Sequence, residues 1–166
     1  GRMQLRNTSN NAFVDVFTLA GGPFFTASGT IAGKNIGKGN NDVSTNTAFG
    51  NDCLAGSVTG GGLTAIGDDC LKANTSGTNN TGLGNHAMEF TTTGSQNTAV
   101  GMSALVDNST GDSNTAIGQF ALGDNTTASN NTAVGRQALR LNTTGANNTA
   151  VGSLALDAAT TATNNT

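Results

Sequence analysis

Tryptophan and tyrosine are absent from this chain, which contains one proline, one histidine and two cysteines among its 166 residues. Aromatic residues make up 4% and charged residues 10% of the sequence, which excludes a core built on large aromatic side chains. Threonine, glycine and asparagine number 27, 24 and 23, a composition often typical of disorder. The strict spacing of the glycines overrides that interpretation, because periodicity is the sequence signature of repeat folds.

Basic residues are few: seven Lys and Arg are scattered along the chain, and the net charge is −3. This distribution offers no positive patch to a phosphate backbone, so we expect no nucleic-acid partner. No apolar run approaches the ~20 residues that cross a bilayer, and the N-terminal residues show no signal-peptide pattern. We therefore expect no membrane insertion in this segment.

A motif of 17 residues recurs seven times between Asn46 and Thr166, and its fourth copy reads NTAVGMSALVDNSTGDS. A degenerate copy is predicted over residues 29–45. Asn165 and Thr166 open an eighth copy, so we expect the natural chain to continue. Each copy contains a glycine at its fifth position, where we predict a sharp corner. These corner glycines are Gly50, Gly67, Gly84, Gly101, Gly118, Gly135 and Gly152.

The residues of one copy predict two short strands and two turns. In the fourth copy, Thr98 to Val100 precede Gly101, and Ser103 to Leu105 precede a polar cluster that begins at Asn108. A helix is excluded because no stretch free of glycine or Asn-Thr clusters is long enough. The pattern therefore predicts an all-β fold, a parallel β-solenoid or β-roll with one copy per coil and equivalent residues stacked ~4.8 Å apart.

Large apolar residues at the fourth and ninth positions are predicted to face each other as an inner seam. The fourth-position residues are Phe49, Ile66, Leu83, Val100, Ile117, Val134 and Val151. The ninth-position residues are Leu54, Leu71, Met88, Leu105, Leu122, Leu139 and Leu156. Asparagines at the first and twelfth positions are expected to hydrogen-bond to one another along the stack.

Small residues at the third position are predicted to form a face on which identical chains pack. They are Ala48, Ala65, Gly82, Ala99, Ala116, Ala133 and Ala150. One coil offers about two large apolar side chains of roughly 1.5–3 kcal/mol each, against an ordering cost of about 1–2 kcal/mol per residue. A lone coil is then marginal, and we predict a homotrimer.

The run Asn-Thr-Ala-Ile/Val-Gly followed by x-x-Ala-Leu resembles the left-handed parallel β-roll repeats in the heads of trimeric autotransporter adhesins, which are a few residues shorter. It is more similar to repeats in the tail and surface fibres of bacteriophages and large viruses. The resemblance covers Asn46 to Thr166. It implies a trimeric attachment fibre on the virion surface, with a host-cell receptor or glycan as a partner.

Two other functions are consistent with the same repeat. A bacterial surface adhesin head would bind matrix or cells directly, at the cell surface. An ice-binding solenoid is suggested by threonines at the second and fourteenth positions, although paired Thr-x-Thr columns are lacking.

Residues 1–28 do not follow the period. They contain Phe13, Phe17, Phe24 and Phe25, and also Pro23, the single proline. We predict a strand from Ala12 to Phe17. The segment is expected to cap the first coil or to form a junction with a preceding fibre segment.

Candidate chemistry is sparse, and we expect no enzyme, cofactor or metal. Asp69, His86 and Ser103 stack at the seventh position and contain the residue types of a hydrolytic triad, but we expect them on an exposed column without a pocket. Asp68 and Asp69 stack on Asn51 and Asp52, where a calcium site is conceivable but a solvated acidic patch is expected.

Cys53 and Cys70 occupy the eighth position, where other copies have Ala, and are predicted to be reduced core residues. Sequons begin at Asn108, Asn125 and Asn142. They are weak indications of glycosylation in a chain this rich in Asn and Thr.

Overall fold

The structure is a computed structural model that describes residues 3–6, 13–17, 29–31, 34–37, 39 and 43–166. The fold is all-β, and its main part is a parallel β-solenoid with a 17-residue spacing between strands, as predicted. Among the described residues before the repeats, four strands are present: β1 Met3–Arg6, β2 Phe13–Phe17, β3 Gly29–Ile31 and β4 Lys34–Gly37. The repeats contribute β5 Thr47–Gly50, β6 Thr64–Ile66, β7 Thr81–Leu83, β8 Thr98–Val100, β9 Thr115–Ile117, β10 Thr132–Val134 and β11 Thr149–Val151.

The seven repeat strands pair in parallel and in register. Thr98 lies beside Thr115, Ala99 beside Ala116, and Val100 beside Ile117. The same register recurs from β5 to β11. Each residue therefore lies over its equivalent in the previous coil, which is the arrangement that the periodicity predicts.

The segment before the first repeat differs from the prediction of a degenerate coil over residues 29–45. β3 and β4 form an antiparallel pair, and β4 pairs antiparallel with β5, with Ile36 beside Phe49. The parallel ladder therefore begins at β5, and an antiparallel hairpin covers the edge that β5 would otherwise expose.

The strand predicted from Ala12 to Phe17 is present as β2, which pairs antiparallel with β1. Phe24 and Phe25 lie outside the described residues, so the predicted cap or junction over residues 1–28 stays a prediction. In the described part of the chain, no helix could cross a membrane.

The prediction of a second strand in each coil is wrong. The residues from the sixth to the tenth position form turns, and in the fourth copy Ser103 has a φ of 53° and Leu105 a φ of 54°. The seventh and ninth positions have positive φ in all seven coils. Left-handed conformation is unfavourable for L-residues and most of all for β-branched ones, and neither column contains Val, Ile or Thr.

Positive φ at alternate positions directs successive backbone groups to opposite neighbours. The amide of Ser103 donates to Asn85 O in the previous coil at 2.9 Å, and the amide of Leu105 donates to Ala121 O in the next coil at 2.9 Å. These turns therefore bind each coil to both neighbours without forming a strand. The strand segment is bonded in the same two directions: Thr98 N donates to Asn114 O and Gly101 N to Leu83 O.

The core is a thin column of three small or medium side chains per coil. The ninth-position Leu and Met residues from Leu54 to Leu139 are fully buried, as predicted. Leu156, in the last coil, was also predicted to be inside but is 39% exposed. The eighth-position residues Cys53, Cys70, Ala87, Ala104, Ala121 and Ala138 are also fully buried. The third-position residues complete this column.

Buried asparagines hold the polar side of the coil together. At the first position, Asn97 Oδ1 accepts from the amide of Asn114 in the next coil at 2.9 Å, while its Nδ2 donates to Gly111 O of its own coil at 2.8 Å. Asn97 Nδ2 also donates to Asn80 Oδ1 at 3.2 Å. The predicted ladder is therefore confirmed, and each asparagine closes its own coil as well as joining two coils.

The twelfth position forms a second ladder that runs only from Asn108 to Asn142. Ala159 takes the next place in the column, and Asn142 Oδ1 is buried without a hydrogen-bond partner. Asn125 Nδ2 donates to Asn108 Oδ1 at 2.8 Å, and Asn142 Nδ2 donates to Asn125 Oδ1 at 3.3 Å. Thr91 replaces asparagine in the third coil. Both its Oγ1 and Asn74 Oδ1 in the coil before it are buried without a hydrogen-bond partner. A buried carbonyl oxygen that lacks a donor costs about 1–3 kcal/mol.

The fifth-position glycines are confirmed as corners. Gly118 has a φ of 128°, and a Cβ atom on it would lie 2.6 Å from the carbonyl carbon and oxygen of Gly135. The backbones of neighbouring corner glycines are in close contact, so there is no space for a Cβ atom between them. The positive φ also disfavours any residue with a side chain.

Gly118→Ala should destabilise the solenoid by at least about 3 kcal/mol, because the methyl group meets the Gly135 backbone and φ is unfavourable. Gly123→Ala is the matched control, since the nearest atom to its Cβ is Phe120 O at 3.3 Å and other coils carry side chains there. This control should change stability by less than about 1 kcal/mol. Urea unfolding followed by circular dichroism measures both, and equal losses would contradict the corner assignment.

Thr91→Asn should stabilise the fold by about 1–3 kcal/mol, because the new Nδ2 can donate to Asn74 Oδ1 and restore the ladder. Thr93→Asn, at an exposed position two residues later, is the control and should leave the unfolding midpoint unchanged. Thermal and urea unfolding of both variants test this. A destabilised Thr91→Asn protein would show that the gap in the ladder is required for packing.

Candidate interaction face

The placement predicted for the third and fourth positions is reversed in the structure. The fourth-position side chains point outward: Phe49 is 56% exposed, Leu83 45%, Ile117 40% and Val151 71%. Ile66 is also exposed, and Val100 and Val134 are partly exposed. The fourth position therefore does not belong to the inner seam of the coil.

The third-position residues lie inside. Ala65, Ala99, Ala116 and Ala133 are fully buried, Ala48 and Ala150 are almost so, and Gly82 is buried as well. They cannot form a contact between chains unless the coil opens, so the predicted trimer face is wrong for a folded coil. Strand alternation puts the third and fourth positions on opposite faces, but it does not say which face is inside. The ninth-position Leu and the asparagines fill the interior, and only Ala or Gly fits beside them.

One outer surface of the solenoid carries two parallel columns, which we call the Thr–aliphatic face. One column consists of the exposed or partly exposed second-position residues Thr47, Thr64, Thr81, Thr98, Thr115, Thr132 and Thr149. The other consists of the fourth-position residues Phe49, Ile66, Leu83, Val100, Ile117, Val134 and Val151. Because strand residues two apart share a face, both columns belong to the β5–β11 sheet.

The hydroxyl groups of the second-position threonines make no hydrogen bond within the described part of the chain. Threonines at the thirteenth position behave differently: Thr92 Oγ1 donates to Ser109 O at 2.9 Å and Thr126 Oγ1 to Thr143 O at 3.2 Å. Hydroxyls therefore join coils on one side of the solenoid and remain available on the Thr–aliphatic face.

Neither column of the Thr–aliphatic face contains a charged residue. The ionisable side chains lie on other columns, where a cluster forms around the seventh position. His86 Nδ1 lies 2.7 Å from Glu89 Oε2 and 3.7 Å from Asp69 Oδ2. Lys72 Nζ donates to Asp69 Oδ1 at 3.0 Å and lies 3.8 Å from Asp52 Oδ2. The hydrogen bond from Lys72 to Asp69 raises the pKa of the Lys72 ammonium above its ordinary value.

The stacked Asp69, His86 and Ser103 do not form a triad in this part of the chain. Ser103 is buried, and the hydrogen-bond partner of His86 is Glu89, which the sequence prediction did not include. The side chains of Asp69 and His86 are 16% and 36% exposed, so the column is partly buried rather than fully exposed as expected. A nucleophile, its base and an orienting acid would need successive hydrogen bonds.

Ligand atoms of Asp68, Asp69 and His86 lie within 4.8 Å of one another. This grouping differs from the conceivable calcium set, which combined Asp68 and Asp69 with Asn51 and Asp52. The ammonium of Lys72 already contacts Asp69, so ion pairs account for the arrangement. Ion pairs of this kind contribute little to stability, because solvent screens the charges.

Cys53 and Cys70 are both buried and neither forms a disulfide, as predicted. Burial raises the pKa of the Cys53 thiol to about 11 and that of Cys70 to about 12. Both thiols are therefore protonated at neutral pH and act as small apolar side chains rather than nucleophiles.

Cys70 also explains an exception in the third column. A Cβ atom on Gly82 would lie 2.5 Å from Cys70 Sγ. The sulfur thus occupies the space where a methyl group on Gly82 would lie. At the equivalent positions one coil earlier, Cys53 and Ala65 are both buried, so the clash is specific to the position of the Cys70 sulfur.

Gly82→Ala alone should cost about 1–3 kcal/mol through overpacking, and Cys70→Ala alone about 1 kcal/mol through the lost sulfur. The double variant restores Ala at both positions, as in coils four to six, and should lie within about 1 kcal/mol of the original protein. Urea unfolding of the four proteins measures the coupling. Additive losses would show that the two positions do not share one space.

No protein-family model, curated protein or solved structure matches the chain. Its function is therefore inferred from its own residues and geometry.

Proposed function

We propose that this chain is a structural shaft segment of a trimeric attachment fibre of a virus or phage, which holds a host-binding region away from the particle. The observation that carries the proposal is the uninterrupted register from β5 to β11. Seven coils at ~4.8 Å each give a rod of ~34 Å whose length depends only on coil number. A spacer requires this property.

The side-chain roles within the coil support a structural protein and not an enzyme. Leucine, alanine and cysteine fill the core, the asparagine ladders close the coils, and the glycines form the corners. These positions are committed to holding the coil. A host-cell receptor or glycan would be bound through the remaining outer columns or by another part of the fibre.

Trimer formation is supported by apolar surface that one chain leaves exposed. Contiguous exposed apolar surface often marks an interaction site. The fourth-position side chains form an exposed or partly exposed apolar row along the whole repeat region. The localisation that follows is the virion surface or another extracellular surface.

Sedimentation equilibrium tests the assembly directly. We expect a particle of three chains of 16.4 kDa each, and a straight rod by electron microscopy. A folded monomer across the accessible concentration range would contradict the trimeric shaft.

The alternative is the head of a bacterial surface adhesin, which would also use a trimeric solenoid. Binding of the isolated segment to immobilised matrix proteins or to cells separates the two functions. An adhesin head binds directly, whereas a spacer does not. For the ice-binding alternative, the structure pairs the second-position threonines with apolar residues of unequal size instead of a second threonine column.

A further inference from the structure

We propose that the Thr–aliphatic face is the contact between chains, and that identical chains meet on it in parallel with equivalent coils side by side. The inference rests on the proposed trimeric shaft and adds the residues that make the contact. The fourth-position column is the centre of this contact, and the second-position threonines form its rim.

The face has the chemistry of a buried surface but is exposed in one chain. Phe49, Leu83 and Ile117 are between 40% and 56% exposed, although comparable side chains at the ninth position are fully buried. The row continues through every coil, so a partner that covered it would remove apolar surface from water along its whole length. Such burial is the main favourable contribution to association.

The spacing of the row favours a second copy as the occupant. A partner must offer apolar groups every ~4.8 Å along a straight line to fit each coil. Another copy of this chain has that spacing, and a closed cyclic assembly around an axis parallel to the solenoid brings equivalent coils together. In that arrangement Ile117 of each chain meets Ile117 of its neighbours.

Charge also favours self-association on this face. The face has no ionisable group in either column, so equivalent residues meet without like-charge repulsion. The acidic residues Asp69, Glu89 and Asp107 lie on other columns. Burial raises the pKa of the Asp107 carboxyl, and repulsion from Asp124 and Glu89 adds to that shift. The surface that carries like charges is thus separate from the proposed contact.

The area of the face makes association depend on coil number. Three strand residues span ~10 Å, so seven coils give a planar footprint of ~340 Å², compared with ~800 Å² per partner in a standard stable interface. One pairwise contact of seven coils is therefore small, and the flanking columns and additional coils must contribute. Each added coil should strengthen association by about tenfold, the effect of burying one further aliphatic side chain.

The first test compares Ile117→Glu with Thr127→Glu, a matched control at an exposed fourteenth-position site outside the face. Sedimentation should show that Ile117→Glu weakens association at least ~100-fold, because the carboxylates become buried and unpaired. Circular dichroism should show an intact fold. Thr127→Glu should assemble like the original protein. An Ile117→Glu protein that assembles normally overturns the assignment of the face but leaves the trimeric shaft standing.

The second test does not require a disruptive charge and also determines orientation. In a protein with Cys53→Ala and Cys70→Ala, the additional change Ile117→Cys should produce disulfide-linked chains on mild oxidation. Thr127→Cys should not. A parallel register brings residue 117 to residue 117, whereas an antiparallel one brings it to residue 83. Cross-linking only in a mixture of Ile117→Cys and Leu83→Cys proteins would overturn the parallel arrangement.

The third test changes coil number by inserting a second copy of residues 114–130. The association constant should rise about tenfold per inserted coil, and an unchanged constant overturns the extended contact.

If the original protein were monomeric at all concentrations, that result would contradict the trimeric shaft itself as well as this face. A monomer that also produced thermal hysteresis would show that the face orders water and would overturn the proposal.

Discussion

Main-chain hydrogen bonds that run along the axis in both directions impose one constraint on the whole molecule: each coil must trace the same path as its neighbours. Ser103 donates to the coil before it and Leu105 to the coil after it, so neither can move alone. A residue added to one coil would shift every later column by one position. The invariant length of 17 residues and the positive φ values at alternate positions are both consequences of this bonding.

The period, the solenoid, the corner glycines and the asparagine ladders could be predicted because each depends on a residue type that recurs at one position. Which face of each strand lies inside the coil could not be predicted. Alternation separates Ala99 from Val100, but hydrophobicity alone favours the larger residue as the core residue, and the structure places Ala99 inside. The deciding quantity is the free volume beside Leu105 and the buried asparagines, which is a property of the closed coil. Gly82 in the third column was a signal of limited space.

The ninth-position column also contained information about the backbone. It consists only of Leu and Met and lacks the β-branched residues that strands favour. The absence of β-branched residues fits the left-handed conformation that replaces the second predicted strand.

Among outward positions, the repeat separates two kinds of surface. The Thr–aliphatic face keeps its chemistry in every coil, whereas the sixth and seventh positions vary among residues as different as Asp69, Met102 and Arg136. Recognition of an irregular target can be accommodated by the varied columns without disturbing the uniform one.

The interruption of the twelfth-position ladder at Thr91 also affects how the rod responds to a mechanical load. Coils bonded along the axis act as links in series, so tension is the same at every junction and the first to yield is the one with the fewest bonds. The junction between Asn74 and Thr91 lacks the side-chain hydrogen bond that joins Asn108 to Asn125. The junctions on both sides of Thr91 and the one that follows Asn142 lack this bond in the described repeats. A rod pulled at its ends would therefore yield at one of these junctions before it yields between Asn108 and Asn125.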